Sequence, residues 1–400
     1  MKGIDRVVQV LSKDPYIRMM DVRMPTSNPN IIHIYIITSK GENLVVDTGT
    51  DWSKGREDLK NGLDELSLDY EHTSLFLTHA HPDHTGLAKI FTDQGCKVYM
   101  GELENQFYHW FASTAAFQDM TKLVLEAGAP IDKMLQEMND PQNRKNKTRK
   151  NEKEMSSLSP DKPHTFDEKY IDQNKEFIGQ EKFKISSNNR DSVMKMMQKL
   201  GPAMKQAQLS SNGLSMEYPI IKLNDGDQFL IGDMTFQAIL SPGHTPGHMM
   251  LYMPAQQILF TGDHVLAGIV PIIDNPLYDS QPLTHYFKSL KNLKQLAVKR
   301  VFPGHGELNW DFQKRVDELM NIHREELDYI IHALDKQPGM TAWQIVQIVR
   351  EMRGKYPWKK MPIVQQVMAT EEIIPHLKYL QDEGKLRVEK EENTLRYSSI

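Results

Sequence analysis

At 400 residues the chain exceeds one typical domain and can bury a large core, and its formal charge of −5 leaves no global positive field to attract nucleic acid. A single cysteine, Cys96, excludes a disulfide framework and a thiolate cage, so a bound metal would be held by His, Asp or Glu. The opening "MKGIDRVVQV" lacks the basic-then-apolar pattern of a secretion signal and nowhere do about 18 apolar residues run together, so a cytoplasmic protein with no membrane partner is expected.

The β-branched runs 31–38 "IIHIYIIT" and 43–47 "NLVVD", split by "SKGE", predict a hairpin. A third strand, "TSLFLT", runs directly into "THAHPDHTG", and a helix is expected from His84 to about residue 92. "CKVYM" reads as a buried strand with Cys96 as a small core residue. Residues 102–215 read as a helical, Met-rich insertion, with six basic residues in the solvated run 143–153, "NRKNKTRKNEK". Phe107, Trp110 and Phe111 in it fit ordinary core at helical spacing, or the apolar lining of a lid over a site.

Strands resume with "YPIIKL", "QFLIGDMTFQAILS", "MMLYMP" and "QILFTGD". Leu283, Phe287, Leu290, Leu293 and Leu296 then recur as the stripe of a core-facing helix, and "RVFPGHG" closes this second half. Helices at 321–335, 341–352 and 371–383 followed by the hairpin "KLRVEKEENTLRY" predict a winged-helix-like domain over 320–400, after a domain of 1–319. Its last helix, "EEIIPHLKYLQDE", carries four acids against one lysine, a poor match to phosphate, so packing or homo-oligomer formation is the expected role.

The chemistry concentrates at His79-x-His81-x-Asp83-His84. In extended chain residues i and i+2 project to one side, so His79 and His81 can address one centre, and the bend at Pro82 turns Asp83 and His84 toward a second. The competing structural reading makes Asp83 a helix N-cap and the histidines polar loop residues. His244, Asp263 and His305 each follow a strand beside glycine, where backbone can approach a crowded centre. Five histidines and two aspartates can be divided between two four-coordinate centres if one carboxylate bridges. Such donors suit zinc, and less specifically iron or manganese.

"DTGT", "THAHPDHTG", "GHTPGH", "TGDH" and "PGHG" together resemble the five motifs of the metallo-β-lactamase superfamily, over about 1–101 and 216–310. The tail resembles the winged-helix extension of its lactamase-beta-2-like members. The resemblance implies an α/β fold, an αββα sandwich with the site at one edge of the two sheets. It implies two zinc ions per chain, one on His79, His81 and His244 and the other on Asp83, His84 and His305, with Asp263 bridging. Asp47 of "DTGT" would order the ligand loop, while His248, His264 and Tyr278 are candidates for support or substrate contact.

Two such cations would turn a shared water into hydroxide at neutral pH, with Asp83 as the catalytic residue that orients it. Hydrolysis of a small-molecule thioester, ester or lactone is therefore the leading expectation. An endoribonuclease using the basic run 143–153 is the alternative, and a mononuclear iron persulfide dioxygenase is a third. The 42 positions from Asp263 to His305 are too few for the extra domain of the β-CASP nucleases. Asp263 and the missing export signal argue against antibiotic hydrolysis, and His81 argues against flavodiiron oxidoreductases, which have glutamate there.

Overall fold

The computed structural model describes residues 8–26, 29–111, 113–130, 217–274, 276–354 and 357–400. The basic run 143–153 and most of the expected insertion lie outside them. The chain divides into two units: Met1–Ala112 with Ala207–Asp274 and Pro282–Met320, and Ser113–Gln206 with Asn275–Gln281 and Asn321–Ile400.

In the first unit β1 (Val8–Lys13), β2 (Tyr16–Arg23), β3 (Ile31–Ser39), β4 (Glu42–Val46), β5 (Thr73–Leu77), β6 (Lys97–Gly101) and β7 (Ile220–Leu223) form one sheet in that order. Pairing is antiparallel from β1 to β4 and parallel from β4 to β7. The expected β3–β4 hairpin turns through Lys40 and Gly41, both at positive φ, which suits the twist of a two-residue turn. A second sheet has the order β12-β11-β10-β9-β8, from β8 (Gln228–Ile231), β9 (Met234–Leu240), β10 (Met249–Met253), β11 (Ile258–Gly262) and β12 (Arg300–Pro303).

Alternation along the strands builds the core between the sheets. Ile17 and Met19, Tyr35 and Ile37, and Leu44 and Val46 meet Phe236, Ala238, Met249, Leu251, Phe260 and Phe302 of the second sheet in one buried cluster. α1 (Ser53–Leu66) packs on β2 and buries Leu59 and Leu63. These are the two face-to-face sheets with flanking helices that the motifs led us to expect.

The helix expected from His84 is instead two short ones, α2 (Pro82–Thr85) and α3 (Lys89–Thr92). The Leu87 N–H donates to Gly49 O at 3.1 Å and Thr48 Oγ1 at 3.2 Å, so the Asp47–Thr50 loop interrupts the helical ladder. α4 (Glu102–Phe111) follows β6 directly and buries Phe107, while Trp110 and Phe111 are half-buried. Later in the unit α6 (Pro282–Leu293) buries Leu283, Phe287, Leu290 and Leu293; Leu296 falls beyond its end.

The second unit contains α5 (Thr114–Glu126), the C-terminal part of α7 (Phe312–Lys336), α8 (Ala342–Met352), α9 (Ile363–Asp382) and the antiparallel pair β13 (Leu386–Glu391) and β14 (Thr394–Ser399). α5, from the stretch read as an insertion, therefore groups with the tail, and the Trp343 N–H donates to Ala127 O at 2.9 Å. α9 begins eight residues before the expected 371, because Gln366 and Thr370 hide the apolar stripe. Gln366 Nε2 donates to Trp358 O and Met361 O, and Thr370 Oγ1 to Gln366 O, so the amide N–H groups and the hydroxyl are satisfied inside the core, while Gln366 Oε1 has no partner among the described residues. Among the described residues no helix is long and apolar enough to cross a membrane.

Candidate metal centre

The parallel strand β5 ends at Leu77 and delivers the histidine-rich segment to the rim of the first sheet. Asp47, at the end of the neighbouring β4, fixes the conformation of that segment. Its carboxylate accepts the Thr78 N–H at 2.9 Å, the Thr78 hydroxyl at 2.9 Å and the His84 Nδ1–H at 2.8 Å. Asp47 is buried and sits at φ 62, a left-handed conformation unusual for a non-glycine residue, here held by these bonds. These bonds tie the end of β4 to Thr78 and His84.

Two groups of side chains converge beyond this loop. His79, His81 and His244 form one, with His79 Nε2 3.0 Å from His81 Nδ1 and 3.2 Å from His244 Nε2. Asp83, His84, Asp263 and His305 form the other. There His305 Nε2 lies 3.2 Å from Asp83 Oδ2 and 3.4 Å from Asp263 Oδ2, and His84 Nε2 lies 3.5 Å from Asp263 Oδ1. Asp263 Oδ2 is also 3.9 Å from His244 Nε2, so this carboxylate lies between the groups. All seven residues expected as ligands are thereby brought together. Asp83 is not a helix cap: His81 is the N-cap of α2 and makes no capping bond with its side chain.

Backbone carbonyls set the histidine tautomers. His244 Nδ1–H donates to Ile272 O and His305 Nδ1–H to Ile31 O, each at 2.7 Å. A carbonyl only accepts, so the Nε2 lone pairs of both rings are directed at the cluster. His84 Nε2, His305 Nε2 and Asp263 Oδ1 are buried with no hydrogen-bond partner among the described residues. Buried polar atoms are ordinarily satisfied, and convergent imidazole and carboxylate donors fit a divalent metal. Gly304 makes the approach feasible: a Cβ there would lie 2.5 Å from Asp263 Oδ1 and 3.0 Å from His84 Cε1.

The groups differ electrostatically. Burial, reinforced by the neighbouring rings, holds His79 well below the usual imidazole range and His81 down at about 3. For His84 burial acts the same way, but Asp47, Asp263 and Asp83 outweigh it and hold the ring well above its usual value. His305 is likewise raised against its burial by Asp263 and Asp83. Burial would lift Asp83, yet His84 and His305 keep it at about 2.

The other candidates separate clearly. His248 is fully buried, with Nδ1 2.8 Å from Ser241 Oγ, and its Nε2 accepts the Asp263 N–H at 3.2 Å; it braces the Asp263 backbone. His264 is fully buried against the Tyr286 ring, 4.6 Å between centroids. Tyr278 belongs to the second unit and is half-buried. One residue escaped sequence reasoning: Glu104, in the first turn of α4, is fully buried and accepts hydrogen bonds from Ala80, Thr245 and Gly247. Nothing in "GELENQF" distinguishes it from a surface glutamate.

The model of the family described as the metallo-beta-lactamase superfamily matches residues 27–133 and 164–305. The chain belongs to this superfamily. A probable metallo-hydrolase of Bacillus subtilis (strain 168) is 29% identical over 195 residues, 46% of this chain and 58% of its own length. A beta-lactamase-like protein 2 homolog of Caenorhabditis elegans is 26% identical over 136 residues, 34% of this chain and 43% of its own. An atrochrysone carboxyl ACP thioesterase of Aspergillus fumigatus is 30% identical over 111 residues, 28% of this chain and 33% of its own. The chain thus spans about half the length of the first of these curated relatives. The fold is similar to that of a beta-lactamase domain protein from Burkholderia ambifaria, at a TM-score of 0.68, 20% identity, and 100% and 97% coverage of the two chains. A metallo-beta-lactamase family protein from Thermus thermophilus gives 0.62, 19%, 96% and 98%.

Proposed function

We propose that the chain is a metal-dependent hydrolase of small-molecule thioesters, esters or lactones that holds two divalent ions, zinc by the character of its donors. His79, His81 and His244 would hold one ion and Asp83, His84 and His305 the other, with Asp263 bridging. The observation that carries this reading is the set of buried, unpartnered Nε2 and carboxylate atoms of His84, His305 and Asp263 converging on one place. Two ions bound there would lower the pKa of a shared water and polarise the oxygen of the bond to be broken.

The chain's own residues supply the rest. Asp83 is the more exposed cluster carboxylate, its side chain 21% accessible against 12% for Asp263, and accepts a hydrogen bond from the attacking water to set its direction. The Ile31 and Ile272 carbonyls and Asp47 keep the rings from rotating as charge develops. A neutral acyl substrate fits the net charge of −5, and the thioesterase and metallo-hydrolase relatives support this class.

The test is turnover by the zinc-loaded protein on a panel of acyl thioesters, esters, lactones and single-stranded RNA. Hydrolysis of one or more of the first three is expected. Cleavage of RNA with no turnover of the others would replace this reading with the nuclease.

A further inference from the structure

The carboxylate of Glu104 has no part in the hydrolytic chemistry, yet it is fully buried in the first unit. Burying such a group is costly without compensation, and burial pushes Glu104 up to about 7 against the hydrogen bonds that favour its ionised form. Its partners come from two separate segments. Oε1 accepts the Ala80 N–H at 2.6 Å, on the residue between His79 and His81. Oε2 accepts the Thr245 hydroxyl and the Gly247 N–H, both at 2.9 Å, in the turn that carries His244. Contact there is close: a Cβ on Gly247 would lie 2.1 Å from the Glu104 nitrogen.

We propose that Glu104 is the positioning residue of the three-histidine site, clamping the His79–His81 arm to the His244 turn so that three rings from two distant segments of the sequence meet. The inference rests on the two-metal reading and adds a residue that touches neither metal nor substrate. Two oxygens that only accept are required. An amide in their place must direct its NH2 at either the Ala80 or the Gly247 N–H, so one arm is released while shape and volume are kept.

The experiment compares wild type and Glu104→Gln by cobalt(II) titration followed through the visible absorption bands. In parallel, the histidine ring Cε1–H resonances are recorded on the metal-free proteins. Affinity at the three-histidine site should fall about 10- to 100-fold while the site of Asp83, His84, Asp263 and His305 keeps its ion. The His79, His81 and His244 resonances should move and that of His305 should not. Thr245→Val, which removes one of the three bonds and leaves both N–H groups satisfied, should give the same pattern more weakly, and serves if Glu104→Gln does not fold. Unchanged affinity and resonances, or equal weakening of both sites, overturns the proposal. Wild type that takes up no cobalt sinks the metal reading instead, and the metal-free resonances still decide the role of Glu104.

Discussion

Asp83 and Asp263 illustrate how two identical side chains a few ångströms apart are set different tasks. Asp263 is pinned through its backbone by His248 and lies between the two groups, whereas Asp83 opens to solvent beside His305. Asp83→Asn keeps the shape and removes the charge proposed to orient water. In that variant kcat should fall by about 100-fold or more, measured on whichever acyl substrate the panel identifies. Gly304→Ala introduces a methyl against Asp263 and His84, so metal affinity at their site should drop while the three-histidine site is spared. Equilibrium dialysis against zinc reads both sites.

The raised His84 and His305 give a pH dependence with a definite sign. In the metal-stripped protein both rings hold protons above the usual imidazole range, whereas His79, His81 and His244 are lowered. Metal must displace the former protons, so zinc content should fall from two toward one as the pH is lowered, the three-histidine site being retained. Stability of the stripped protein runs the other way. A raised histidine contributes stability that is present below its unfolded pKa and lost as pH rises through the folded one, so its melting temperature should decline over the alkaline side.

Elements that bear the site were readable because strand and ligand are adjacent in sequence. "TSLFLTHAH" joins a buried strand to its metal-facing end, and "ILFTGD" and "VFPGH" repeat the arrangement. Contacts between distant segments were not readable. The break between α2 and α3 comes from Gly49, about forty positions upstream of Leu87, and Glu104 acts on residues on either side of it in the chain. The early start of α9 was hidden by Gln366, a polar side chain whose NH2 donates to two carbonyls inside the core. Local signals hold where no such override acts. Thr341 and Gln344 form a reciprocal capping box at the start of α8, and Thr341→Ala should cost the second unit about 1 kcal/mol in chemical unfolding while leaving metal content unchanged.

For the whole molecule, the family and the paired sheets followed from ordered motifs, and the substrate did not, because the donors that hold metal are indifferent to what it attacks. Charge separates the two main classes. Phosphate contacts make binding weaken steeply with salt, whereas a neutral acyl substrate has no such dependence. Hydrolysis is therefore expected to be nearly unaffected by salt and by neutralising Arg144, Lys145, Lys147, Arg149 and Lys150, which lie outside the described residues. A large loss from those substitutions with metal content intact would favour RNA. The most direct test of the central claim is elemental analysis of the purified chain beside its Asp263→Ala variant. About two transition-metal ions per chain, with at least one lost in the variant, is the predicted result; a metal-free wild type, or a variant that keeps both ions, would contradict it.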